Sequence, residues 1–281
     1  MNFILNILKS LVFGVVQGVT EWLPISSTGH LILMNAFMPL KVFDDPEMNT
    51  AFFDMYKVVI QFGSILAVLV LYWKKLWPFR ADVKERQKKN ILRLWLMIIV
   101  ATIPAGIAGL LLDDLIDSVL SSAVVIALAL IIYGVLFIWM ENKERVEKIR
   151  TTGNITIKDA FLVGCFQMLA LIPGTSRSGS TILGASLLGF ARPCAAEFSF
   201  FMAIPVMLGA SLLKIFKMGI SLNVTAVFVL LVGMVSAFAV SVLVIRNLMA
   251  YIRKHDFKIF GVYRIILGII VLIFVAMGVI A

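Results

Sequence analysis

An all-α polytopic membrane protein is the fold class this sequence predicts, and three observations carry it. Hydrophobic residues fill 61% of the 281 positions, charged residues only 15%, and the mean hydropathy is +1.03. Soluble globular domains are far less apolar. Six segments, at about 52–73, 94–112, 119–140, 195–213, 223–245 and 260–280, read as full spans, each close to the roughly 20 residues a helix needs to cross a bilayer. The connections between them alternate in charge, as the loops of a multi-pass protein do.

The elements follow in order. Residues 41–50 carry Asp44, Asp45 and Glu47 and read as outside. Residues 74–93 hold Lys74, Lys75, Arg80, Lys84, Arg86, Lys88, Lys89 and Arg93 and read as cytoplasmic. A tight turn with Asp113, Asp114 and Asp117 returns outside, and 141–158, with Lys143, Arg145, Lys148 and Arg150, returns inside. Arg246, Arg253, Lys254 and Lys258 place 246–258 inside again. The net charge of +9 thus has its cause in cytoplasmic loops and excludes nucleic-acid binding as the reading of a basic chain. The first residues lack a charged leader and a small-residue cleavage site, so no removable signal peptide is expected. Cys165 and Cys194 have neither disulfide-framework nor metal-ligand spacing and read as small buried residues.

Two segments, roughly 3–40 and 158–190, do not fit as ordinary spans. Each is apolar but interrupted by a proline and a run of hydroxyls and glycines. The first reads Gln17-Gly-Val-Thr-Glu21-Trp-Leu-Pro24-Ile-Ser26-Ser27-Thr28-Gly29-His30. The second, some 150 residues later, runs from Gln167 through Pro173-Gly174-Thr175-Ser176-Arg177-Ser178-Gly179-Ser180-Thr181. Broken backbone at membrane depth survives only where protein buries it or water fills a cavity. Both segments are therefore expected to be re-entrant helical hairpins with the polar motif at the tip. A re-entrant hairpin plus three spans, written twice, has an odd number of crossings per copy. The second copy must then be inverted, giving repeats of about 1–140 and 155–281 within one integral membrane domain, 1–281, and the two tips can meet near the midplane.

Polar side chains in hydrocarbon are a functional hypothesis by default. Glu21 shares a helical face with Gln17; its bland reading is a solvated interfacial carboxylate. Ser26, Ser27 and Thr28 include a candidate helix cap, and His30 could face the same cavity. The second motif offers hydroxyl donors, flexible glycines and Arg177 at a helix start, where backbone N–H groups and the helix dipole favour anions. A guanidinium matches phosphate geometry; the bland reading of Arg177 is a structural ion pair with Glu21. An arginine, a hydroxyl nest, a glutamate and a histidine at one wet point suggest phosphate chemistry.

Those two motifs, with Phe198-Ser-Phe-Phe-Met-Ala-Ile-Pro205, resemble the undecaprenyl-pyrophosphate phosphatase family, also known as bacitracin-resistance proteins, over the whole chain. The resemblance implies hydrolysis of undecaprenyl pyrophosphate to the monophosphate carrier of peptidoglycan synthesis, in the bacterial cytoplasmic (inner) membrane. It also implies a site opening to the periplasm and a divalent cation, Mg²⁺ or Ca²⁺. The family accepts Glu or Gln at the first motif position; Gln17 here leaves Glu21 as the single carboxylate for any metal. The expected catalytic set is Glu21, Ser27, His30 and Arg177. Gln17, Ser26, Thr28, Gly174, Thr175, Ser176, Ser178 and Thr181 are expected to contact the substrate.

In that mechanism Arg177 and the hydroxyls bind the diphosphate. Ser27 is the candidate nucleophile with His30 as general base or acid, and Glu21 orients His30 or holds the cation. Direct attack by water, with Ser27 only binding phosphate, fits the sequence equally well. The prenyl tail would lie along helix faces open to lipid, and a homodimer is possible. The alternative from another class is a polyprenyl-phosphate flippase, since inverted repeats with paired hairpins suit alternating access.

Overall fold

The computed structural model describes residues 3–120, 122–144, 146–218 and 222–278, without the side chains of 113–119 and 214–218. Within them the chain is helical, apart from one isolated parallel β-bridge between Ile149 and Phe190. The elements are α1 (Phe3–Thr20), α2 (Ser27–Phe37), α3 (Pro46–Leu71), α4 (Trp73–Leu76), α5 (Glu85–Leu120), α6 (Ala123–Asn142), α7 (Ile157–Met168), α8 (Arg177–Leu187), α9 (Arg192–Met218), α10 (Val224–Tyr251) and α11 (Lys258–Ala276), with short 3₁₀ turns at Thr152–Asn154 and Leu169–Leu171. By length and composition, α1, α3, α5, α6, α9, α10 and α11 can each cross a bilayer. The protein is an all-α, multi-pass membrane protein.

Several expected boundaries move, α5 starting at Glu85 and α10 running to Tyr251 among them, and two of the moves have a clear local reason. The third helix starts at Pro46, inside the expected 41–50 loop. Asp45 accepts from Glu47 N at 2.9 Å and Pro46 takes the first helical position, where its missing N–H is no loss. The expected turn at Asp113–Asp117 is helical instead, because α5 runs on to Leu120. The chain restarts as α6 at Ser122, whose side chain accepts from Val125 N at 3.3 Å.

Each interrupted segment folds as a hairpin of two helices, α1 with α2 and α7 with α8, broken at the polar motif. Asn6, at the start of α1, donates to Lys41 O at 2.6 Å and accepts from Lys41 N at 3.3 Å, while Lys9 donates to Pro39 O at 2.6 Å. Where α1 begins, the chain leaving α2 is therefore pinned beside it. The second hairpin is closed by its β-bridge: Lys148 N donates to Gly189 O at 2.8 Å and Ala191 N to Ile149 O at 2.9 Å. The two ends of each helix pair thus lie side by side. Phe3–Thr20 is also long and apolar enough to cross a membrane.

Close contacts give the directions of the helices. Gly14 meets Gly233 and Ser236, and Gly18 meets Ala237 and Val240, so α1 runs parallel to α10. On the other side Arg93 donates to Ile155 O and Gly164 meets Ala101, so α7 runs parallel to α5. Gly134 meets Gly261 and Gly268 meets Ala127, which makes α6 and α11 antiparallel. Ser211 bonds Val58 O and Lys75 bonds Glu197, which makes α3 and α9 antiparallel. Exchanging the halves maps this pairing onto itself. The packing is tight because glycines line it: a Cβ on Gly134 would fall 2.6 Å from Gly261 O, and one on Gly164 2.4 Å from Ala101 O. Small residues of this kind let membrane helices approach closely.

Candidate functional site

The site begins with two helix starts of the same construction. Ser26 caps α2 with φ 73° and accepts from Gly29 N at 3.4 Å; Ser176 caps α8 with φ 73° and accepts from Gly179 N at 3.2 Å. They are the two non-glycine residues with positive φ among those described. Left-handed backbone at a serine is strained and is kept where the surroundings over-determine it. Here the serines are caps, and the side chain that follows each one meets Glu21: Ser27 within its own hairpin, Arg177 from the other.

Across that junction Glu21 is the hub. Its Oε1 accepts from Arg177 Nη2 at 3.0 Å, and its Oε2 accepts from Ser27 Oγ at 2.8 Å and Gln17 Nε2 at 3.0 Å. The Glu21 and Arg177 side chains are 3% and 10% exposed. Arg177 is held from behind by α9: its Nη1 donates to Ser199 O at 2.7 Å and to Ser199 Oγ at 3.2 Å. Ser199 Oγ lies 2.7 Å from Thr181 Oγ1. Ser178 Oγ donates to Glu21 O at 3.0 Å and stands 3.1 Å from Ser176 Oγ, tying the two tips together. The guanidinium also lies 5.7 Å from the centre of the Trp22 ring.

A cleft of about 170 Å³ opens onto these groups. Glu21, Ser26, Ser27 and Thr28 line it from the first tip, and Pro173, Gly174, Ser176 and Arg177 from the second. Its flank is apolar, formed by Ala170, Ile172, Val206, Met207 and Ala210. One small cavity therefore presents a hydroxyl, a carboxylate and a guanidinium beside a greasy wall. That combination suits an amphiphile with an anionic head.

The structure brings together most of the residues singled out in the sequence. Glu21, Ser27 and Arg177 are in direct contact, Gln17 supports Glu21, and Ser26, Thr28, Gly174 and Ser176 line the cleft. Ser178 and Thr181 brace the tips from behind. The Thr175 hydroxyl turns back to Leu169 O at 2.9 Å and Ile172 O at 2.8 Å, closing its own turn. His30 stands apart. Its Nδ1 is 2.7 Å from Ser26 O and its Nε2 2.7 Å from Tyr263 Oη, the two rings stacked at 5.7 Å, and it does not line the cleft. The hydrogen-bond partner of Ser27 is Glu21, not His30.

Three participants escaped the sequence reading. Ser199 sits in the Phe198–Pro205 segment, but its role depends on α9 packing behind Arg177. Gln61, an amide in the apolar second half of α3, lines the cleft. Arg264, fully buried on α11, donates to Pro24 O at 3.0 Å, Gly174 O at 2.9 Å and Thr175 O at 2.8 Å. A lone cation inside an apolar span was the signal that could have found it.

Among the described residues no three His, Cys, Asp or Glu side chains gather into a metal cage. Gln17 Oε1, buried and without a hydrogen-bond partner, is however a free oxygen on the side chain that supports Glu21. Magnesium is commonly bound by one or two carboxylates together with phosphate oxygens, and Glu21 is the carboxylate that lines the cleft.

Fold and site together define a polytopic helical membrane protein with a cleft, lined by a hydroxyl, a carboxylate and a guanidinium, where two helix pairs meet. Residues 10–270 match the bacitracin resistance protein BacA family, and the chain belongs to it. It is 50% identical over 272 residues to an undecaprenyl-diphosphatase of Acetivibrio thermocellus, covering 96% of this chain and 98% of that protein. It is 52% identical to undecaprenyl-diphosphatase 1 of Clostridioides difficile, covering 96% of each. With an undecaprenyl-diphosphatase of Enterococcus faecalis it shares 51% identity over 280 residues, covering 98% of this chain and 99% of that one.

Proposed function

We propose that this protein hydrolyses undecaprenyl pyrophosphate to undecaprenyl phosphate and inorganic phosphate, recycling the lipid carrier of peptidoglycan synthesis and so conferring bacitracin resistance. The observation that carries the reading is the contact of Ser27 with Glu21 at 2.8 Å and of Glu21 with Arg177 at 3.0 Å, inside a cleft with an apolar flank. The names of its relatives support it, and they give no support to a flippase.

In the mechanism the diphosphate enters between the tips, with the prenyl chain along Ala170, Ile172, Val206 and Met207. Ser27 Oγ attacks the terminal phosphorus while its proton passes to Glu21. The bond to the bridging oxygen breaks and undecaprenyl phosphate leaves with the bonding pair. Arg177 and the N-terminal backbone of α8 stabilise the charge that develops on the transferred group. Water then attacks the phosphoserine; one proton returns to Ser27 through Glu21, and inorganic phosphate departs. Glu21 is the base in this scheme because it holds the Ser27 proton already. His30, bonded to Tyr263, positions the α2 start through Ser26 O.

Glu21, the carboxylate that lines the cleft, is the group that would hold a Mg²⁺ or Ca²⁺ bound with the diphosphate. Such a cation supplies neutralisation of phosphate charge. We place the chain in the bacterial inner membrane with its cleft facing the periplasm, as the resemblance to its family implies, and its basic 74–93 segment in the cytoplasm, which loop charge supports.

The test is phosphate release from a prenyl pyrophosphate by the purified protein in detergent. Wild type is expected to yield one monophosphate lipid per phosphate released. Ser27→Ala is expected to lose activity by about 10³-fold or more. Lipid binding without hydrolysis by the wild type would overturn the assignment.

A further inference from the structure

Arg264 is the costliest residue in the membrane region that the mechanism leaves unused. It is fully buried, and among the described residues no carboxylate pairs with it. An ion in hydrocarbon without a counter-charge is strongly disfavoured. Hydrophobic α6, its antiparallel partner, has no cation of its own. The guanidinium is instead surrounded by carbonyl oxygens: Pro24 O from the first tip, Gly174 O and Thr175 O from the second, and Leu130 O of α6 at 3.4 Å. Its plane lies 5.2 Å from the Tyr133 ring centre, and the Tyr133 hydroxyl accepts from Ser180 Oγ at 3.1 Å. A Cβ at Gly179 would fall 2.8 Å from Arg264 Nη1, so that glycine is what admits it.

Two consequences follow from peptide geometry and charge. A trans peptide points its C=O and the next N–H in opposite directions. Drawing Thr175 O toward Arg264 therefore turns Ser176 N–H away from Arg264; that N–H has no hydrogen-bond partner among the described residues, and Ser176 lines the cleft. Glu21 and Arg177 neutralise each other. Arg264 is the charge left over at the tips, so the junction as a whole is positive and favours a polyanion.

We propose that Arg264 is a positioning residue for phosphoryl transfer: by holding the carbonyls behind both tips it aims the Ser176 N–H at the phosphate, and it supplies the uncompensated charge that draws the diphosphate headgroup. The inference rests on the function proposed above, but its binding half can be read without turnover.

The experiment compares wild type, Arg264→Lys and Arg264→Met, each the full chain purified in detergent. Three quantities are read: the shift in melting temperature caused by inorganic pyrophosphate, and kcat and KM on a prenyl pyrophosphate. Binding to the folded state alone raises the melting temperature, by more the tighter the binding at a given ligand concentration. Arg264→Met is expected to lose most of the pyrophosphate shift and about 10²-fold in kcat. Arg264→Lys keeps the charge but cannot reach three carbonyls at once; it is expected to keep the shift and still lose about tenfold in kcat, a split that mere structural damage would not produce. If Arg264→Met does not fold, the lysine variant decides alone. Wild-type kcat in Arg264→Lys, or a wild-type pyrophosphate shift in folded Arg264→Met, would overturn the proposal. A pyrophosphate shift without any wild-type hydrolysis would instead sink the phosphatase reading and leave the charge assignment standing.

Discussion

At the scale of the residue, the site depends on one carboxylate serving three partners. Glu21 holds the Ser27 hydroxyl, the Arg177 guanidinium and the Gln17 amide at once, almost out of contact with solvent. A buried pair of this kind adds little stability by itself, but removing one partner strands the other charge. Arg177→Ala is therefore a poor probe of chemistry alone, and Arg177→Lys is better. The ammonium keeps the ion pair with Glu21 but cannot also bond both Ser199 oxygens and present a planar face to phosphate. Arg177→Lys is expected to melt within a few degrees of wild type yet lose about 10²-fold in kcat/KM, as read by phosphate release; unchanged kcat/KM would remove Arg177 from the chemistry. The sequence made these residues visible because ionisable groups within apolar segments are conspicuous. What it could not show was which hydroxyl meets which acid. Ser27 and His30 lie three residues apart, yet Ser27 turns to Glu21 and His30 to Tyr263.

At the scale of the element, the hairpins place the strained serines. Two segments broken by proline, glycine and hydroxyls were legible as hairpins because a broken helix cannot stand alone in lipid. Their exact partners were not legible, since α1 against α10 and α7 against α5 are contacts between distant parts of the chain. The ends of α3 and α5 were missed for a smaller reason: Asp45–Pro46 is a helix start written in polar residues, and Asp113, Asp114 and Asp117 suggest a turn where the helix in fact continues. Glycine contacts fix the framework. Gly134 and Gly261 face each other where α6 crosses α11, each with the other's carbonyl within 2.7 Å of an added Cβ. Gly134→Leu is expected to push these helices apart and to destabilise by roughly 1–3 kcal/mol. A lowered melting temperature in detergent, with KM little changed in the folded fraction, is the expected result; an unchanged melting temperature would show that this crossing tolerates bulk.

At the scale of the molecule, exchanging the two halves maps the helix pairing onto itself while leaving the site contents different. Antiparallel α3 with α9 and α6 with α11 fit halves of opposite orientation. Loop charge then predicts the topology: a cysteine placed at Lys84 is expected to be labelled only from the cytoplasmic side, and one at Asp44 only from outside, when intact cells are treated with an impermeant thiol reagent. Labelling of both from outside would break the inverted-repeat reading. Asymmetry of content is what turns this frame into a site, with Ser27 and Glu21 coming from the first hairpin and Arg177 from the second. The central claim is that these two tips act as one catalytic unit. A double-mutant cycle on phosphate release tests it most directly, using Ser27→Ala, Arg177→Lys and the two combined. Groups that act together give strongly non-additive losses, so the double variant is expected to be no slower than Ser27→Ala alone. Losses that simply multiply would show that the two hairpins work independently, and would contradict the account.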